Sequence, residues 1–460
     1  MKPKLADALP KKKFFQEMFT RDISLEDCIL DLIDNSIDSL IRTKNINISE
    51  ILLQPATSQN GDQSNGLPTI DISYSDRQFK IVDKCGGITR HAALTEVFNF
   101  GHTTDDLGGQ QLGAYGIGLK RALFKIGNEF DMESKTQQEG FSVSIPVPEW
   151  AAKDEDLNDW KVPLVFTEGA GSLKQAGTSI TIRKLRPEVR MRINDGSFES
   201  LLVHNIAQTY SLFLNRHVKV TLNSSTVVPD RIPLSESDEI QSGRSEFEET
   251  FEEGKVKVII IAGLAERVGP KHEWNYERAG WYVLCNGRVV VAADKTDLTG
   301  WNTGLLPSFH HGKYRGFVGL AFFMSTNPLL LPWTTTKRGL NRESLIYQKA
   351  RNQMGLIARP VISFLNDMYK NEPPEERFER EAVEATRPVD IRAIASRQTT
   401  SSFKAPPKKR ASKSNVRRIQ FDAKISDIER VKRCIRSPDL SASKVGEYTF
   451  EHFLKKECPE

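Results

Sequence analysis

The chain has 460 residues, 38% of them hydrophobic, and 64 Lys and Arg balance 60 Asp and Glu to a formal charge of +4. That length corresponds to roughly three domains with real cores, and no uninterrupted apolar run approaches the ~18 residues of a membrane-spanning helix. Five scattered cysteines (Cys28, Cys85, Cys285, Cys434, Cys458) lack zinc-site spacing and, being odd in number, argue against a disulfide framework; with a start, M-K-P-K-L-A-D-A-L-P, that has no apolar signal-peptide core, the expected setting is the cytoplasm.

Residues 1–23 join a basic start to K-F-F-Q-E-M-F, which sets Phe14, Phe15, Met18 and Phe19 on one side. That face needs a cover, either the chain's own domain or a neighbouring protomer. Over 24–41, Leu25, Cys28, Ile29, Leu32, Ile33, Ile37, Leu40 and Ile41 keep the spacing of a helical stripe, while Asp27, Asp31, Asp34, Asn35 and Asp38 fall largely on the other side. Ser24 and Asp27 approximate a capping box. Acids packed this closely on one helix repel one another unless cations neutralise them. Asp31 and Asn35, at i and i+4, project side by side, so a carboxylate and an amide oxygen can share a phosphate-bound magnesium and an attacking water.

A polar loop over 54–68 precedes an expected hairpin of strands 69–74 and 79–83, whose second strand runs into D-K-C-G-G-I at 83–88. The two glycines allow close backbone approach, and Asp83 can accept a hydrogen bond in a concave site. Residues 98–127, F-N-F-G-H-T-T-D-D-L-G-G-Q-Q-L-G-A-Y-G-I-G-L-K-R-A-L-F-K-I-G, form a glycine-rich loop that opens directly into a helix. Such a junction offers unpaired N–H groups and the positive end of the macrodipole to an anion, and Lys120 adds a full charge. The loop is a phosphate cradle, although it matches neither the P-loop nor a dinucleotide fingerprint.

Strands are expected at 141–147 and, after Gly177, at 178–183. A second α/β pattern starts near 190, with a helix at 198–213, strands at 218–222 and 256–262, a hairpin at 281–291 turning on Asn286-Gly287, a strand at 317–324 and a helix at 342–369. Lys337, in T-T-T-K-R-G, stands on the loop before that helix, and the pair His310-His311 reads as loop. Residues 391–418 are rich in Arg and Lys and free of acid, so 371–414 is expected to be a disordered basic linker that attracts polyanions. A strand at 415–421 and helices at 426–435 and 443–456 then form a unit too small to bury much core alone, which implies pairing with a second copy.

The order of these signals resembles the GHKL ATPases, the superfamily of gyrase, histidine kinases, MutL and heat-shock chaperones. It runs from an acidic helix with D-x-x-x-N, through a strand ending in an Asp-Gly turn and a glycine lid opening a helix as G-x-x-G-x-G-x-K, to a G-T strand. F-G-H-T-T followed by G-I-G-L-K looks most like the MORC-type branch and its prokaryotic relatives. The resemblance implies an α+β chain: a Bergerat-type α/β sandwich over 1–189 that binds ATP and magnesium, a transducer-like α/β domain over 190–370, and a ribbon-helix-helix-like unit over 415–460.

Carried over by position, Asn35 would hold magnesium, Asp83 would bind the adenine amino group with support from Thr178, and Gly87 would shape the adenine pocket. Gly113, Gly116, Gly118 and Lys120 would wrap the triphosphate, and Lys337 would reach the γ-phosphate. Asp31 falls where the family usually has a glutamate as general base. Its shorter side chain leaves the carboxylate farther from the water, and a well-placed base is worth roughly 10²–10⁴ in rate, so slow hydrolysis is implied. Cys85 replaces the first glycine of the usual D-x-G-x-G. The implied function is an ATPase that closes as a homodimeric clamp on ATP binding and acts on DNA, in genome maintenance or defence, through Arg417 and Arg418 beside Gln420 and through the basic linker. The alternative is a nucleotide-gated interaction protein or chaperone-like ATPase with little turnover. A histidine kinase is disfavoured, because a transducer-like domain follows the nucleotide segment and no phosphoacceptor helix precedes it.

Overall fold

The computed structural model describes residues 11–53, 66–99, 111–113, 115–153, 157–168, 173–269, 272–309, 312–368, 378–406, 419 and 421–458. The acidic helix spans Leu25–Lys44. Ser24 caps its start, Oγ accepting from the Asp27 N–H at 3.0 Å. Asn45 ends it in the left-handed region (φ 48°), its N–H returned to the Ile41 and Arg42 carbonyls. Both faces of this helix are buried. Its apolar stripe shares a core with the first sheet, while the acidic side, expected to be polar, is roofed by the helix Gly118–Ile126 and by loops of the second sheet.

The first sheet contains β1 (Thr69–Tyr74), β2 (Gln78–Asp83), β3 (Gly127–Lys135), β4 (Glu139–Pro146), β5 (Val165–Glu168), β6 (Gly177–Leu185), β7 (Lys219–Leu222) and β8 (Ser225–Thr226). The strand order is β5-β4-β3-β6-β2-β1-β7-β8. β1 and β7 run parallel, and every other neighbouring pair is antiparallel. The expected boundary at 189–190 therefore falls too early. β7 and β8 complete this sheet, and Phe198, Leu202 and Ile206 of the helix Phe198–Thr209 join its core.

The second sheet is built from β9 (Leu234–Glu236), β10 (Gly243–Phe251) and β11 (Gly254–Ala265), and, beyond a separate ribbon of β12 (Arg267–Val268) and β13 (Glu273–Trp274), from β14 (Gly280–Cys285), β15 (Arg288–Asp294), β16 (Phe317–Met324) and β17 (Arg387–Pro388). Its order is β15-β14-β16-β11-β9-β17, with β10 also on β11. The Asn286-Gly287 turn has both residues at positive φ (46° and 81°), as a type I′ hairpin requires. The helix Leu345–Met368 covers one face. Ile259, Ile261, Leu284, Leu320 and Phe322 on the other face belong to the same core as the first sheet, so the two sheets pack within a single unit, residues 1–406.

The expected disordered linker over 371–414 is corrected for residues 378–406. Helices Phe378–Glu384 and Ile391–Ala395 form there, β17 pairs with β9, and Ser401 and Lys404 bridge to Arg244 and Gln241. Ala382, Val383, Ile391, Ile394 and Phe403 are buried, and these apolar residues outweigh the basic composition. Arg392 is buried and donates to the Ile51 and Leu212 carbonyls at 2.9 and 2.7 Å. Arg397 pairs with Glu236. These two arginines are internal ties rather than free contacts for a polyanion.

The N-terminal helix Lys12–Arg21 packs on its own domain. Lys12 lies over the Trp150 ring and donates to the Trp150 carbonyl at 2.9 Å, and Phe15 meets Trp160 edge-on. Phe14 and Met18 remain exposed. The unit 407–460 contains helices Ile425–Cys434 and Ala442–Glu457. Of the strand expected at 415–421, Ile419 and Phe421 are described, and neither is in a strand. Arg417, Arg418, Gln420, His310 and His311 lie outside the described residues. Among the described helices, none is long and apolar enough to cross a membrane.

Candidate functional site

A cleft of about 1090 Å³, counted out to its open mouth, lies between the acidic helix, β2, β6 and the helix Gly118–Ile126. Asp31, Asn35, Asp83, Gly113, Gly116, Gly118, Lys120, Thr178 and Lys337 all line it. Gly87 is not among the lining residues. It sits at φ 76° with its α-carbon against β3, where a Cβ would overlap the Lys135 carbonyl, and its own carbonyl accepts from Ser39 Oγ at 3.1 Å. Gly87→Ala is therefore expected to cost at least about 2 kcal/mol of stability, read as a lower urea midpoint.

One end of the cleft is set by sheet register. Ser134 of β3 stands opposite Thr178 of β6, and Asp83 ends the neighbouring β2. Asp83 Oδ1 accepts from the Cys85 and Thr178 N–H groups at 2.9 and 3.3 Å, and Oδ2 accepts from Ser36 Oγ at 3.1 Å. Ser134 Oγ and Thr178 Oγ1 lie 2.9 Å apart. Burial raises the Asp83 carboxyl to about 6 against these donors. Around it Leu32, Ile81, Ile88, Met132 and Ile180 supply apolar walls. An oriented acceptor in an apolar slot suits a flat heterocycle carrying an amino group.

The other end is cationic. Lys120, on the first turn of its helix, is buried and donates to the Gly116 carbonyl. No carboxylate lies within ion-pair distance of it among the described residues, and burial lowers its ammonium to about 7. Gly118 packs directly on Asp31, where a Cβ would meet the carboxyl carbon at 3.1 Å. Asn35 is exposed to the cleft. Asp38 accepts from the Leu112 and Gly113 N–H groups at 2.6 and 2.7 Å, and burial raises it to about 6. It thereby anchors the end of the glycine loop to the acidic helix.

The acids of the helix are neutralised as their crowding requires. Asp27 pairs with Arg338. Asp31 Oδ2 is 2.6 Å from Arg121 Nη2, and its other oxygen is 3.8 Å from Lys337 Nζ. Asp34, fully buried, accepts from Lys337 Nζ at 2.7 Å and from Arg288 Nε at 3.1 Å, and the Tyr210 hydroxyl is 2.7 Å from it. Burial pushes the Asp34 carboxyl up, but Arg288 and Lys337 overcome this and hold it below the usual range.

Sequence reasoning missed Ser36, Ser39, Asp38, Arg121, Ser134, Tyr210 and Arg288. Of these, Ser36, Ser39 and Asp38 carried a signal, since they repeat at helical spacing from Asn35 and Leu32 along the same cleft-facing side. A buried lysine with no counter-ion among the described residues, a loop at a helix N-terminus and an exposed Asn oxygen form a fitting receptor for a polyphosphate with its divalent cation. Among the described residues, no group of three His, Cys, Asp or Glu side chains could hold a metal by itself, so such a cation would complete its shell from phosphate and water.

No curated protein sequence matches the chain. Residues 23–157, which carry the acidic helix, β1, β2, the glycine loop and Lys120, match the family model described as histidine kinase-, DNA gyrase B-, and HSP90-like ATPase, so this segment, which lines much of the cleft, is similar to the ATPase domain of the GHKL superfamily.

Proposed function

We propose that the chain is a slow ATPase acting as a nucleotide-dependent clamp. The observation that carries this reading is Lys120, buried and without a carboxylate partner among the described residues, in a cleft that also presents Asp83. Asp83 accepts from the adenine amino group, and Thr178, bonded to Ser134, braces it. Gly113, Gly116, Gly118 and Lys120 surround the phosphates, and Lys337 reaches the terminal one. Asn35 offers its amide oxygen to magnesium, which when bound supplies charge neutralisation to the phosphates. Asp31 faces the attacking water as general base, and its carboxylate is already engaged by Arg121 at 2.6 Å, in keeping with slow turnover.

ATP binding closes two protomers, with the exposed Phe14 and Met18 of the N-terminal helix available as apolar contacts. The partner is DNA, in a MORC-like role in genome maintenance or defence, held through the basic stretch after residue 406 and the C-terminal unit. DNA at low salt is expected to stimulate phosphate release, and removal of 407–460 to abolish the stimulation while leaving basal ATP binding. The truncation begins at 407 because Arg392 and Phe403 belong to the folded unit. Stimulation that survives the truncation overturns the assignment of DNA contact to 407–460, and a full chain that DNA does not stimulate overturns the DNA assignment.

A second reading, a nucleotide-gated interaction protein or chaperone-like ATPase with little turnover, is favoured by the same Asp31–Arg121 pair. Single-turnover phosphate release separates the two.

A further inference from the structure

Lys337 is held in place by more than its own loop. Its backbone is in the left-handed region, φ 54°, and its carbonyl accepts from Arg288 Nη1 at 2.6 Å. Arg288 opens β15, immediately after the Asn286-Gly287 turn, and is buried without lining the cleft. The same guanidinium donates through Nε to Asp34, the carboxylate on which the Lys337 ammonium rests. Asp34 thus has two cationic partners, and three buried cations, Arg121, Arg288 and Lys337, stand against Asp31, Asp34 and the neighbouring Asp38. Of the two cationic partners of Asp34, Lys337 is the one that lines the cleft, and its flexible ammonium lies 3.8 Å from Asp31.

We propose that Arg288 is the positioning residue that frees Lys337 to read a terminal phosphate: it keeps Asp34 neutralised when the ammonium turns from Asp34 to the nucleotide. This rests on the ATP-binding reading of the cleft. With Arg288 present, the lysine exchanges one anion for another and no buried carboxylate is left bare. Without Arg288, departure of Lys337 would leave Asp34 buried and unpaired, a penalty larger than one charged hydrogen bond returns. The lysine then stays on Asp34. Discrimination between triphosphate and diphosphate consequently depends on a residue that touches neither.

The test measures equilibrium affinities of the full chain for ADP and for a non-hydrolysable ATP analogue, with magnesium, in wild type, Lys337→Met, Arg288→Met, Arg288→Lys and the double variant Arg288→Met/Asp34→Asn. Wild type is expected to prefer the triphosphate by roughly tenfold or more. Lys337→Met sets the baseline without the lysine. Arg288→Met, in which Lys337 still neutralises Asp34 at rest, is expected to fall to that baseline with ADP affinity unchanged within about twofold. Arg288→Lys keeps the preference. The double variant, whose residue 34 needs no counter-ion, regains it, a rescue that mere loss of packing would not give. Circular dichroism and thermal unfolding establish that each chain is folded, and if Arg288→Met alone fails to fold, the double variant and Arg288→Lys carry the comparison. A folded Arg288→Met that keeps the wild-type preference, a double variant that does not regain it, or a wild type that binds both nucleotides equally overturns the inference. A wild type that binds neither nucleotide overturns the ATP-binding reading itself.

Discussion

Asp31→Ala is expected to bind ATP with magnesium and to release phosphate roughly 10²–10⁴ times more slowly than wild type, while Asn35→Ala loses magnesium-dependent binding. The two residues are one helical turn apart and face the same cleft, yet the reading gives them different tasks. Asp31 is buried against Arg121 and Gly118, so its removal takes away a base and leaves the phosphate receptor of Gly113, Gly116 and Lys120 in place. Asn35 is exposed to the cleft and has an oxygen to give to a cation, so its removal acts on the ground state. Nucleotide binding and single-turnover phosphate release on the two variants separate these effects. Equal hydrolysis by Asp31→Ala and wild type would remove Asp31 from the chemistry.

Lys120 carries the second large effect, and it is a pH effect. In the free protein burial brings its ammonium to about 7, so below that pH the lysine is already charged when a polyphosphate arrives. Above it, binding must draw a proton from solvent, and affinity for ATP is expected to fall by up to about tenfold per pH unit until the bound lysine itself titrates. On the acid side the opposite group acts. Asp83 is raised to about 6 by burial, and its protonation below that pH withdraws the acceptor from the adenine amino group. Affinity should therefore be greatest between about 6 and 7. Lys120→Met is expected to bind ATP roughly 10–100-fold more weakly and to lose the alkaline limb. Lys120→Arg keeps its charge throughout and flattens that limb. An alkaline limb that persists in Lys120→Met would assign it to another group.

The two carboxylates raised by burial also set a stability trend. Asp38 and Asp83 bind protons more tightly folded than unfolded, so the stabilisation from their protonated forms is complete below the ordinary carboxylate range and is lost as pH rises through about 6. At neutral pH both stay buried and ionised at a cost. That cost is carried where the cleft needs them, at the adenine end and at the foot of the glycine loop.

Much of the site was legible because its parts are local. The D-x-x-x-N spacing, the Asp-Gly turn after β2 and the glycine loop running into a helix each lie within one short stretch, and the physics of helix faces and helix N-termini places them without knowledge of the fold. The neutralisation of the acidic helix was also legible as a requirement. Its means were not. Arg121, Arg288, Lys337 and Tyr210 reach Asp31 and Asp34 from four separate places in the chain, and nothing in the composition of N-G-R-V-V-V marks Arg288 as buried.

Composition misled at the other end of the chain. The basic run after 391 hid Ile391, Ile394 and Phe403, whose burial fixes residues 391–406 to the rest of the fold. Strands β3 and β10 were overlooked for a related reason. Their glutamates depress strand propensity, although Phe130, Met132 and Ser134 alternate inward along β3. The boundary near 190 was misplaced because β7 returns parallel to β1 after two helices, a long-range pairing with no local signal.

The most direct test of the account is equilibrium binding of ATP to the purified full chain, with and without magnesium, in wild type and Asp83→Ala. The account predicts saturable binding of one ATP per chain that depends on magnesium in wild type and is lost in a folded Asp83→Ala. A folded wild type with no saturable ATP binding, or an Asp83→Ala chain that binds as wild type does, would contradict it.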